Sequence, residues 1–103
     1  MSGTVAPPPV TVADRPRLGR LFRLQYEEAQ KAWVLLYPEG MVKLNGSAAE
    51  IMTRCDGERT VAAIVADLEA AFAATGLQGD VIAFLEMARG RGWIRTTTPG
   101  AAP

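Results

Sequence analysis

The stretch "YPEGMVKLNGSAAEIMTRCDG", Tyr37 to Gly57, decides the fold. Pro38-Glu39-Gly40 reads as a tight turn, because Pro presets φ and Gly40 can take φ > 0. Met41 to Leu44 then returns as a short strand. Ser47-Ala48-Ala49-Glu50 follows as a capping box, with Ser47 at the cap and Glu50 three residues on. Ala48, Ile51, Met52 and Cys55 fall at i, i+3, i+4 and i+7, which is one apolar helix face. Gly57 is expected to end that helix at C′. A strand held between a turn and a helix is expected on the edge of its sheet, with backbone groups still to pair.

On the N-terminal side, "WVLLY" (Trp33–Tyr37) is apolar on both faces, which suits the middle of a sheet. Before it, Phe22, Leu24 and Tyr26 alternate with Arg23 and Gln25, the period-two pattern of a half-buried strand. The polar "EEAQKA" links the two. Sequential strands joined by short turns pair with their neighbours, so the strand order is expected to be 1-2-3.

On the C-terminal side, Thr60 is expected to cap a second helix with Val61, Ile64, Val65, Leu68 and Phe72 on its apolar face, broken at Gly76. A third helix, about Gln78 to Arg89, carries Val81, Phe84, Leu85 and Ala88 inward and stops at Gly92. Trp93 and Ile94 are expected to fold back onto the core. The fold class is therefore α+β and winged helix-turn-helix-like: a three-stranded antiparallel sheet followed by three short helices. Residues 1–15, which include Pro7-Pro8-Pro9, read as a disordered tail, as do residues 96–103, leaving one domain at 16–95.

Composition narrows the chemistry. The 103 residues contain 11 Lys+Arg, 11 Asp+Glu and no histidine. Zero net charge argues against a nucleic-acid or anionic-membrane partner, and the third helix is itself close to neutral. Without histidine the commonest general base and the commonest zinc ligand are missing. The lone Cys55, on an apolar helix face, reads as a buried inert thiol. Two lysines, Lys31 and Lys43, complete a sparse acid/base repertoire, so neither catalysis nor a metal or cofactor is expected. No apolar run approaches the ~20 residues that span a bilayer, and the N-terminus does not read as an export signal. The single cysteine fits a reducing, cytoplasmic setting.

The run "FRLQYEEAQKAWVLLYPEGMVKLNGSAAEIMTRCDGERT", then "IVADLEAAF" and "FLEMARGRGWI", resembles the PqqD family of pyrroloquinoline quinone biosynthesis across about Pro16 to Ile94. The resemblance implies a chaperone-like binding protein and no enzyme. It would bind the precursor peptide PqqA and present it to the radical S-adenosylmethionine enzyme PqqE. It also implies that the peptide adds as a strand beside Met41, Val42, Lys43 and Leu44 and packs against the third helix. There Ile82, Glu86 and Arg89 share a stripe beside the core face, with Leu85 on the border of both. Two readings compete with peptide binding. One is a winged-helix nucleic-acid binder. The other is a structural homodimer formed by strand exchange through the free edges and the Glu27–Lys31 link.

Overall fold

The computed structural model describes residues 8–97. Its elements run β1 (Arg15–Leu18), β2 (Arg23–Glu27), β3 (Ala32–Tyr37), β4 (Gly40–Lys43), α1 (Gly46–Met52), α2 (Val61–Ala71), α3 (Gln78–Gly90) and β5 (Ile94–Thr97). The fold is α+β, with antiparallel strands and three helices, as expected from the sequence. β2, β3 and β4 form an antiparallel sheet in that order, with the doubly apolar strand in the centre. Val34 and Leu35, which point to opposite faces of β3, are both fully buried.

The register explains how the sheet meets the helices. Leu24 lies opposite Leu35, and Leu35 opposite Val42, so these three form one row on one face. Leu35 belongs to the core with Ile51, Met52, Ile64, Leu68 and Leu85, and Leu24 and Val42 pack against it. Phe22 and Leu24 are half-buried, whereas Tyr26 is 42% exposed and meets Trp33 edge-on at 5.6 Å.

A second, two-stranded sheet pairs β1 with β5, Arg15 opposite Thr97 and Leu18 opposite Ile94. The expected tails reach into this ordered structure. Arg15 opens β1, Thr96 and Thr97 lie in β5, and Val10 is a core residue. Residues 8–14 are held because Val12 and Asp14 carbonyls accept from the Ala62 and Val61 amides at 3.0 and 2.9 Å. Those amides are the orphan donors of the first turn of α2, and this segment satisfies them. "RPRL" carries no apolar alternation, and its partner strand is most of the chain away, so local periodicity cannot announce it. The parts of the expected tails at 1–7 and 98–103 lie outside the described residues.

The helices follow their apolar faces with three corrections. The cap of α1 is Asn45, whose Oδ1 accepts from the Ala48 amide at 2.8 Å, not Ser47. Asn and Ser cap equally well, and the helix starts two residues earlier than the Ser47 reading requires. Glu50 instead pairs with Arg54 at 2.8 Å. Gly57 is not the C′ residue of α1, which ends at Met52. It sits in the following loop at φ +81 and donates to the Pro16 carbonyl at 2.9 Å. Phe72, expected inside, is 54% exposed because α2 ends at Ala71 and Phe72 adopts a non-helical cap conformation. Thr60 does cap α2, its Oγ1 accepting from the Ala63 amide. Arg54 bridges Glu50 and Asp67 and so ties α1 to α2. Trp93 and Ile94 close the core after Gly92 turns the chain at φ +79.

Candidate functional site

The edge of β4 is set by one hydrogen bond. The Leu44 amide donates to the Trp33 carbonyl at 2.9 Å. In an antiparallel ladder inward and outward backbone groups alternate. The groups of Gly40, Val42 and Leu44 therefore face β3, while the N–H and C=O of Met41 and Lys43 face outward. β4 ends its sheet, so no strand of the described residues covers them. Met41 is 49% exposed, Lys43 is exposed, and the Val42 side chain packs against the core. A short edge bearing an exposed lysine resists indiscriminate strand pairing.

Immediately after β4 the chain borders a cavity of about 430 Å³. Its walls come from the start of α1 (Gly46, Ser47), the end of α2 (Leu68, Phe72) and the start of α3 (Leu77, Val81). Ile51, Leu68, Phe72, Leu77 and Val81 make much of its lining apolar. Its exposed wall, Phe72, escaped the sequence reading because the helical period assigned it to the core. Only the early end of α2 turns it outward. α3 starts without a side-chain cap on Leu77, and Glu69 Oε2 accepts the Leu77 amide at 3.0 Å instead.

The eight residues singled out from the sequence fall into three groups. Met41, Val42 and Lys43 form the edge. Leu44 and Leu85 are core residues, with Leu85 fully buried. Ile82 is half-buried against the core, and Glu86 and Arg89 hold the chain's own N-terminal segment. The Val10 amide donates to Glu86 Oε2 at 3.1 Å, and the Arg89 guanidinium donates to the Pro8 carbonyl and to Thr96 Oγ1. The C-terminal half of the α3 stripe is thus engaged from within the chain, and the free part of α3 nearest the cavity is its first turn.

Cys55 is the one cysteine of the chain, and it is buried. Burial, with a smaller contribution from the Asp56 carboxylate, pushes the Cys55 thiol up to about 12, and its Sγ lies 3.3 Å from the Ile51 carbonyl. Among the described residues, no three or more Cys, Asp or Glu are gathered where they could hold a metal ion, and no helix is long and apolar enough to cross a membrane.

A three-stranded sheet with an open β4 edge, set before three helices and joined by the β1–β5 strand pair, defines a small α+β domain. The sequence model of coenzyme PQQ synthesis protein D (PqqD) matches residues 32–94, and the chain belongs to the PqqD family. It is 59% identical over 80 residues to the PqqA binding protein of Stutzerimonas stutzeri strain A1501, covering 77% of this chain and 87% of that one. The structure is similar to the solution structure of the PqqD truncation of Methylobacterium extorquens PqqCD, described as a functional, stand-alone RiPP recognition element. The TM-score is 0.66 at 28% identity, over 78% of this chain and 87% of that one. The crystal structure of PqqD from Xanthomonas campestris matches with a TM-score of 0.52 at 30% identity, over 92% and 98%.

Proposed function

We propose that this chain binds the PqqA precursor peptide by strand addition along β4 and presents it to the radical S-adenosylmethionine enzyme PqqE, in the cytoplasm and without catalysis of its own. The free Met41 and Lys43 backbone groups carry this reading. Main-chain bonds to them supply affinity, and the cavity walled by Phe72 and Leu77 takes an apolar side chain and supplies selectivity. The name of the Stutzerimonas stutzeri relative and the recognition-element description of the Methylobacterium extorquens domain support PqqA as the occupant. A high Cys55 pKa and a chain without histidine support a binding role.

Titration of isotope-labelled protein with PqqA tests the reading. Amide signals of Met41 to Lys43, Phe72 and Leu77 are expected to move together, and those of β2 to move less. Shifts confined to β2 would put the peptide on the other edge. A salt series separates this reading from nucleic-acid binding, which falls steeply with ionic strength, whereas strand addition with apolar insertion persists.

A further inference from the structure

A cleft of about 1190 Å³ opens between residues 8–14, the β1–β2 turn and the α3–β5 corner. None of its walls comes from β4 or α1. We propose that this cleft docks an acidic segment of a second protein, anchored by an apolar side chain.

The turn that forms one wall is built rigidly. The Gly19 amide donates to the Trp93 carbonyl at 2.7 Å, and the Phe22 amide donates to the Gly19 carbonyl at 3.0 Å. A Cβ on Gly19 would lie 2.2 Å from the Gly92 carbonyl oxygen, so the two backbones cross in contact. Arg20 and Leu21 are thereby fixed at the tip of the turn, and Leu21 is 70% exposed, the highest value among the large apolar side chains of the described residues. An apolar side chain on a pre-organised turn meets a partner at little ordering cost.

The charge on the cleft is one-sided. Arg20, Arg89 and Arg95 line it. The ion pairs of the described residues engage Arg54 and Arg59, on the α1–α2 side. Arg89 donates to neutral acceptors, the Pro8 carbonyl and the Thr96 hydroxyl. The carboxylate in the lining, Asp14, is 2% exposed and accepts the Thr11 amide, so it is turned inward. A chain of zero net charge therefore presents a cationic rim beside the exposed Leu21 and the half-buried Phe22. Such a rim steers and orients an anionic partner.

The occupant follows from that pairing. Residues 1–7 and 98–103 contain no Asp or Glu, so neither stretch carries an acidic side chain to set against these arginines. A nucleic-acid backbone has phosphates for the arginines but nothing to set against Leu21, and it selects chains of clear positive charge. An acidic protein segment with a Leu- or Phe-like anchor satisfies both features at once. Two ligands can then be held together, a peptide at β4 and a partner at this cleft.

The test uses the full chain and a soluble peptide in which glutamates surround two leucines, with its glutamine counterpart as control. The acidic peptide is expected to shift amides at Arg20–Phe22 and Ile94–Thr96 while leaving Met41–Lys43 unmoved. Arg20→Glu is expected to weaken it roughly tenfold at low salt, and Leu21→Ser to weaken it as well. Both sites lie on an exposed turn, so unchanged thermal unfolding validates the variants. PqqA binding is expected to be unaffected by either, which separates this cleft from the β4 reading. Equal binding of the glutamine peptide, shifts at β4 instead, or full affinity after Arg20→Glu would each overturn the proposal. So would tighter capture of a single-stranded oligonucleotide, or a self-association that Arg20→Glu dissolves, which would assign the cleft to nucleic acid or to a second copy.

Discussion

The Leu44 amide and the Trp33 carbonyl lie 2.9 Å apart, and this bond sets the phase of the whole β4 edge. It divides four neighbouring residues into two kinds. Val42 directs its N–H to β3, and Lys43 directs its N–H away from it. Lys43→Pro removes an outward donor at an edge position where Pro is tolerated, so folding stability is expected to change by about 1 kcal/mol or less. PqqA affinity is expected to fall about tenfold, one lost hydrogen bond in a desolvated ladder. Lys43→Ala, measured beside it, isolates the charge. Val42→Pro breaks the native ladder and is expected to cost about 2 kcal/mol or more of stability. Calorimetric titration with PqqA and denaturant unfolding of the three variants check this.

Gly19 is the most tightly enclosed glycine of the described residues. Gly19→Ala places a Cβ 2.2 Å from the Gly92 carbonyl oxygen, a backbone atom that cannot swing aside as a flexible side chain could. A loss of about 2 kcal/mol or more is expected. Gly79, in the first turn of α3, has nothing within 4 Å of an added Cβ and no positive φ. Gly79→Ala is expected to be neutral or to stabilise by up to about 1 kcal/mol. Thermal melts of the two proteins should move in opposite directions or differ plainly in size.

What could be read from the sequence was what is encoded locally. "WVLLY" announced a central strand because both of its faces are apolar, and Thr60 announced α2 because a hydroxyl precedes an apolar face. Gly19 carried no such signal: its partner is Gly92, and only the crossing of β1 past the α3–β5 corner makes a side chain impossible there. β1 and β5 were missed for the same reason, as their pairing is long-range and "RPRL" is not periodic. Within the candidate site, the edge was legible from its position between turn and helix. Which of its amides are free depends on the phase of the ladder, which composition does not carry. Glu86 and Arg89 looked like groove residues by helical angle, and the structure gives them to residues 8–10 of the same chain.

The hydrogen bond from Arg54 holds the Asp67 carboxyl below its ordinary value, and charge from Arg54 and Arg59 adds to this. Amide donors from Arg59 and Glu58 lower Asp56 likewise. A depressed folded-state pKa stabilises the fold above the ordinary Asp value of about 4 and loses that contribution as pH falls through the lower folded value. Asp67→Asn is therefore expected to lower the melting temperature near neutral pH and to flatten its decline on acidification. Because Asp67 is exposed, the difference is expected to shrink in high salt. Melting curves from neutral to strongly acidic pH at two salt concentrations check both points.

With its thiol raised to about 12 by burial, Cys55 stays protonated at physiological pH. It is expected to resist thiol reagents in the folded protein and to react once the chain unfolds. Cys55→Ala is expected to cost about 1–2 kcal/mol through the small cavity it leaves and to bind PqqA as tightly as the parent. Loss of binding in a folded Cys55→Ala protein would give the thiol a role in the site.

The most direct test of strand addition is amide hydrogen exchange at Met41, Val42, Lys43 and Leu44, with and without PqqA. In the free protein the outward amides of Met41 and Lys43 are expected to exchange fast and the inward amides of Val42 and Leu44 slowly. In the complex Met41 and Lys43 are expected to slow by at least tenfold, a shift of about 1.4 kcal/mol in local opening, with Val42 and Leu44 little changed. Met41 and Lys43 amides that exchange as fast in saturated complex as in the free protein would contradict strand addition at β4.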